Sequence, residues 1–167
     1  TSIYHISKLS PIVDKGFMVL DSFTIKNLEV FNSLSSQGIH GTLIECIDMT
    51  ETSGGGRLLR KNLMNPLYDI KKINTRLDLV EAFIEHPDLL SSVRTDLKNV
   101  SDIQRILGKL NKTKGSPRDL YALGDSLEKI PSWQISFQSK KSKILIEFSR
   151  LFLDTSKIFK KIKYVIS

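Results

Sequence analysis

At 167 residues with 40% hydrophobic content, the chain is about one domain long and can bury a core. No apolar run approaches the ~18 residues needed to span a bilayer, and the opening T-S-I-Y-H-I-S-K lacks the apolar core of a signal peptide. A single cysteine, Cys46, excludes an internal disulfide and a multi-thiolate metal site, which is compatible with a reducing compartment, and its plain reading is a small residue near the Leu43, Ile44 and Ile47 face. The net charge of +7 is local, because eight Lys and Arg face only two acids between Trp133 and Ser167. Such asymmetry marks either a nucleic-acid surface or, more commonly, a solvated helix face.

Residues 1–20 carry Pro11, Gly16 and alternating or paired apolar positions (Ile3, Ile6, Leu9, Ile12, Phe17, Val19), which predicts an extended linker ahead of a helical domain over 21–167. Asp21 is a suitable N-cap for a helix carrying Thr24, Ile25, Leu28 and Phe31, with Leu20 as a hydrophobic staple. The polar run from Asn32 to Gln37 and then Gly38 break that pattern, and a short helix follows over Thr42 to Met49.

Thr50 to Leu67, T-E-T-S-G-G-G-R-L-L-R-K-N-L-M-N-P-L, runs from polar and glycine residues into a helix that Pro66 ends at Asn65. Thr52 or Ser53 serves as N-cap. Leu58, Leu59 and Leu63 share one face, and Arg57, Arg60 and Lys61 fall on the others. The glycines invite a phosphate-loop reading, since bare N–H groups at a helix start can cradle an anion. Gly56 is followed by Arg57 and Leu58 rather than by Lys and a hydroxyl residue, and no buried strand precedes the glycines, so the stretch reads instead as a flexible helix entry.

Downstream, Ile70, Ile73, Leu77, Val80 and Ile84 recur at steps of three and four, predicting a helix over Asp69 to Glu85 that packs through this stripe. Pro87 opens the next helix, with Leu90, Val93, Leu97 and Val100 inward. Ser101 and Asp102 start another, with Ile103, Ile106, Leu107 and Leu110 inward, and Asn111 to Gly115 read as an exposed loop. Ser116 and Pro117 start a helix through Leu120, Leu123, Leu127 and Ile130, which Pro131 is expected to end, leaving Ser132 to Gln138 irregular. Lys143 to Leu153 is apolar almost all round and calls for cover on more than one side. Asp154 or Thr155 caps a last helix with Ile158, Phe159, Ile162 and Ile166 inward and Lys157, Lys160, Lys161 and Lys163 mainly outward. The fold class is therefore all-α, an irregular multi-helix bundle.

Chemistry-bearing residues are scattered. His5, His40 and His86 stand far apart in solvated or capping contexts, and the carboxylates lie mostly beside Lys or Arg on polar faces. No catalytic, cofactor-binding or metal site can be assembled, so the chain itself is read as non-enzymatic. Lys157, Lys160 and Lys161, spaced to share a helix face, are the candidate contacts to DNA phosphates.

The stretch around the glycines resembles the central region of the MutS family of DNA mismatch-repair proteins. Asp48, Thr50, Thr52, Gly55, Arg57, Leu58, Leu59, Arg60, Leu63, Pro66 and Leu67 follow that family's pattern, and Asn62 departs from it by replacing a tryptophan. The resemblance extends to Phe17 to Glu29, Arg76 to Glu81, Asp102 to Leu107 and Ser116 to Leu120, and covers nearly the whole chain. It implies a core and lever domain that couples ATP binding in a separate domain to DNA clamping and mismatch recognition, with residues 1–20 leading from a preceding connector domain. It further implies a parent that is a DNA-dependent ATPase using ATP and magnesium outside these residues. That parent would hold mismatched double-stranded DNA with a second MutS-like subunit, identical or a paralogue. Localisation would be cytoplasmic in a bacterium and nuclear or organellar in a eukaryote, with no membrane partner. Without the resemblance, the residues alone fit a stand-alone basic helical module that binds nucleic acid or an acidic protein.

Overall fold

The computed structural model describes residues 16–112 and 114–166. Among them the chain forms nine helices and no sheet: α1 (Ser22–Asn27), α2 (Leu43–Ile47), α3 (Ser53–Met64), α4 (Ile70–Ile84), α5 (Pro87–Lys98), α6 (Ile103–Asn111), α7 (Pro117–Ser139), α8 (Lys143–Ser149) and α9 (Ser156–Ile166). The all-α expectation holds. Most of the expected linker, including Pro11 and the apolar positions up to Ile12, lies outside the described residues. Its visible end is extended, with Phe17 bridged to Leu67 and the Met18 N–H donating to the Pro66 carbonyl at 2.7 Å.

Local capping decides where the helices begin. The side chains of Asp21, Thr42, Thr52, Asp69, Asp102 and Ser116 each accept a backbone N–H at the first turn of the helix that follows. Ser116 and Asp119 form a reciprocal capping box at the start of α7. The first helix is shorter than its apolar spacing predicts. Glu29 adopts φ 48°, its N–H donates to the Lys26 carbonyl and the Val30 N–H to the Ile25 carbonyl, so the chain closes in a left-handed cap. Leu28 is left exposed, while Val30 turns inward and is buried.

The core lies where the C-terminal half of α4 meets α5, α7 and α8. Ala82, Leu89, Trp133, Phe137 and Leu145 are buried there, and Phe83, Phe148 and Phe152 pack round them. The rings meet mostly edge to face, with Phe83 to Phe137 at 5.8 Å and Phe148 to Phe152 at 5.4 Å between centroids. The polar atom of the buried indole is served: the Trp133 Nε1–H donates to Asp96 Oδ2 on α5 at 2.7 Å.

Expectations for α7, α4 and α8 are overturned here. Pro131 does not end its helix, because α7 continues to Ser139 and the stretch expected to be irregular supplies Trp133 and Phe137 to the core. A proline inside a helix leaves the carbonyl four residues back without its donor. That carbonyl belongs to Leu127, and the Thr155 hydroxyl donates to it at 2.9 Å. The loss is made good from outside the helix, and burial of two aromatic rings favours continuation.

The second concerns α4, whose predicted packing stripe is largely wet. Ile70, Leu77, Val80 and Ile84 are 56 to 72% exposed, and the helix packs instead through Leu79, Ala82 and Phe83. A small alanine lets α4 approach closely, and the neighbouring leucine and phenylalanine set the orientation. Likewise, α8 ends at Ser149, so Leu151 and Leu153 fall beyond it and are exposed, while Leu145 is fully buried. The C-terminal carbonyls of Ser149 and Phe152 are tied back to α7 by the Gln134 amide at 3.3 and 2.9 Å.

Candidate functional site

The glycine-bearing stretch forms a closely folded helix start. Gly54, Gly55 and Gly56 lie within the first turn of α3, and the threonines before them fold back over it. Thr52 Oγ1 accepts the Gly55 N–H at 2.9 Å, and the Thr50 hydroxyl donates to Asp48 Oδ1 at 2.6 Å. That hydrogen bond, with the Thr50 N–H on the same oxygen, lowers the Asp48 pKa. A Cβ on Gly55 would stand 3.1 Å from Thr52 Oγ1, and one on Gly56 would stand 3.3 Å from Thr50 Oγ1. Gly55 and Gly56 therefore make room for the threonine hydroxyls.

Arg57, one turn on, joins two stretches of sequence that are 45 residues apart. Its guanidinium donates to both carboxylate oxygens of Asp102 at 2.8 Å and to Gln104 Oε1 at 2.9 and 3.1 Å. Asp102 also caps α6 through the Arg105 N–H. The Arg57 hydrogen bonds, then the Arg105 N–H, hold the Asp102 carboxyl down at about 2. A bidentate arginine fixes direction as well as distance, so α3 and α6 are locked start to start. Arg60 lies over the Phe31 ring, and Arg94 on α5 reaches back to Glu51 and to the Met49 carbonyl. Asn62, in the family's tryptophan position, accepts from Arg76 at 3.4 Å.

Among the other motif residues, Leu59, Leu63, Pro66 and Leu67 are half-buried, whereas Leu58 is exposed rather than part of an inward face. Cys46 is exposed, as are Leu43 and Ile47 beside it, and only Ile44 of that helix is buried. His40 pairs with Glu45 at 2.9 Å, which raises its pKa, and the His86 ring meets the Ala82 carbonyl at the end of α4. No cluster of His, Cys, Asp or Glu able to hold a metal occurs among the described residues.

The basic end of the chain is organised by α9 running antiparallel along α7. The pairing of Thr155 with Leu127, then of Ile162 with Gly124, sets that direction. A Cβ on Gly124 would stand 2.9 Å from Ile162 Cγ2, so the glycine permits the approach. Lys163, expected outward, turns to α7 and pairs with Glu128 and Asp125. Ile158, expected inward, is 55% exposed, while Phe159, Ile162 and Ile166 are half-buried. Lys157, Lys160 and Lys161 are placed along this helix and all three are exposed; Lys157 and Lys161 border an apolar groove, and Lys157 and Lys160 lie within electrostatic reach of Asp154. Of the two capping candidates, Asp154 receives the Ser156 N–H, and Thr155 spends its hydroxyl on α7.

Sequence spacing carried no signal for Thr155, Gly124 or Gln104, since each acts on a residue of a distant helix. Nor did it connect Arg57 with Asp102, which stand 45 residues apart.

Fold and geometry together define an all-helical domain in which a capped, glycine-opened helix is clasped to a second helix start and a basic helix is strapped along a longer one. Its sequence matches the family described as MutS domain III over residues 23–164, and the chain belongs to that family. It is 39% identical over 128 residues to the DNA mismatch repair protein MutS of Methanosarcina mazei, covering 77% of this chain and 14% of that protein. The MutS of Halothermothrix orenii is 36% identical over 151 residues, 90% of this chain and 17% of the relative. That of Ehrlichia ruminantium (strain Welgevonden) is 43% identical over 117 residues, 70% and 14% respectively. The chain thus spans a small part of the length of the curated relatives it matches. No helix among the described residues is long and apolar enough to cross a membrane.

Proposed function

We propose that this domain is the core and lever of a MutS-like mismatch-repair protein, coupling ATP binding in a separate domain to DNA clamping and mismatch recognition. The observation that carries the reading is the strapped pair of α7 and α9. A helix of 23 residues reaches about 35 Å at 1.5 Å per residue, far enough to convey a displacement across a domain. Its one internal proline is secured by Thr155, and α9 is held at Gly124 and through Lys163. Rigid elements with fixed contacts transmit movement.

In this reading residues 1–20 lead in from a connector domain, the chain itself turns over no nucleotide, and ATP with magnesium is held elsewhere in the parent. The parent embraces mismatched double-stranded DNA together with a second MutS-like subunit. Lys157, Lys160 and Lys161 add a weak, sequence-independent attraction to phosphates.

The test is made in the full-length parent. Ile162→Pro removes a helix hydrogen bond and costs ~3 kcal/mol or more, whereas Ile162→Val costs about 1 kcal/mol. The proline variant is expected to bind ATP while losing most of the change in ATPase rate that mismatched duplex causes, with the valine variant near normal and melting curves excluding unfolding. A folded proline variant that still responds fully to mismatch would sink the lever reading.

A further inference from the structure

The aromatic core draws on no residue before Leu79. Ahead of it, residues 19–64 bury only Val30 and Ile44 among their apolar side chains, and the Ile44 N–H donates to the Val30 carbonyl at 3.0 Å. Helix α3 faces both regions, with Arg60 over the Phe31 ring and Arg57 on Asp102, yet it has no buried side chain of its own. Cohesion follows buried apolar surface, so it is strong within each region and weak between them.

Arginines carry side-chain hydrogen bonds across this boundary in both directions. Arg57 reaches from α3 to Asp102 and Gln104, and Arg94 reaches from α5 back to Glu51 and the Met49 carbonyl. Both links lie at the start of α3, and the two arginine side chains are 47% and 41% exposed, so water and salt reach them. At the far end of α3, residues 65–69 lead into α4, and Phe17 and Met18 are paired with Leu67 and Pro66 there. The 12 residues of α3 set its start about 18 Å from this turn, so a rotation of about 10° at the turn parts the arginine pairs by about 3 Å.

We propose that Arg57 and Arg94 are the latches of a hinge, about which residues 19–64 swing as a unit on residues 65–69 while the aromatic core stays intact. Hinges are commonly a few residues at the end of an element, and this one has its fastenings at the opposite end of the same helix. The inference stands independently of the lever reading, and its test reads a distance rather than an ATPase rate.

The test is made in the full-length parent, with spin labels on Cys46 and at Glu147→Cys, both exposed positions, and the parent's other cysteines replaced. In the unaltered protein one distance should dominate, with an open form at a few per cent. Arg57→Gln and Arg94→Gln together should raise that form at least about fivefold. Amides of α7 and α8 should exchange hydrogen at the unaltered rate. Raising the salt from about 0.1 M to about 1 M, which shortens the screening length from about 10 to about 3 Å, should open the unaltered protein and change the double variant little. Arg94→Glu alone should also open it, and adding Glu51→Arg should return most molecules to the original distance, which a merely damaged fold would not do. An unchanged distance in the double variant would overturn the proposal. So would faster exchange in α7 and α8 alongside α1 to α3, which would make the domain one cooperative unit. A broad spread of distances with α1 to α3 exchanging freely would mean that the unit melts rather than swings, and would also end it.

Discussion

The two faces of α4 meet different surroundings. On one, Ala82 is buried and Leu79 and Phe83 pack into the aromatic core; on the other, Ile70, Leu77, Val80 and Ile84 stay mostly in contact with water although they form the more regular apolar ladder. The difference teaches that stability follows contact rather than pattern: an apolar side chain contributes about 25 cal/mol for each Å² of surface it actually removes from water. The side chains of the exposed ladder add little to this domain's own stability.

Phe137→Ala should have the largest effect, costing ~3–5 kcal/mol, because the buried ring touches Phe83, Phe148 and Phe152 and its removal leaves a cavity. Chemical denaturation measures it, and a loss below about 1 kcal/mol would mean the core is looser than the ring contacts require. Gly124→Ala comes next, at ~1–3 kcal/mol, since the new methyl must push Ile162 and α9 away. Combining it with Ile162→Val should recover part of the loss.

Thr155→Val should cost about 1 kcal/mol by leaving the Leu127 carbonyl without its donor. The same change made on Pro131→Ala should cost less, because an alanine at that position restores a helix N–H to the carbonyl. Equal losses in the two backgrounds would show that the hydroxyl is not replacing the missing backbone donor.

Acid should weaken the clasp between α3 and α6. Asp102 is held at about 2 against an ordinary 3.8, so its contribution is complete above about pH 5 and is lost as pH falls toward 2. Asp102→Asn should be less stable at neutral pH and should lose less on acidification. Parallel titrations of the two proteins would remove this assignment. The smallest effect is expected from Leu77→Lys, on the wet face of α4, where the melting temperature should move by the equivalent of no more than about 0.5 kcal/mol. A large loss there would abolish the contrast between the two faces.

Features set within a few residues were legible in the sequence. Asp21, Thr52 and Ser116 cap the helices expected of them because a cap needs only its own first turn. Features set between distant segments were not. The chain after Pro131 reads as a helix end until Thr155, far along, is known to stand beside Leu127. Lys163 reads as solvated until α9 is laid on α7, and the apolar groove beside α9 depends on Leu120 of α7 meeting residues that no spacing connects to it. The Arg57 motif was visible as a pattern, but its partners Asp102 and Gln104 were not.

The bond between Thr155 and Leu127 has a consequence for descent. Pro131 and Thr155 do not touch through this hydrogen bond, yet each sets the terms on which the other can change: with proline present, position 155 must offer a donor, and without it, that demand lapses. Among descendants of one ancestral domain, loss of the proline should come before, or together with, loss of the hydroxyl. A lineage that lost the hydroxyl first would carry an unsatisfied carbonyl until the proline followed.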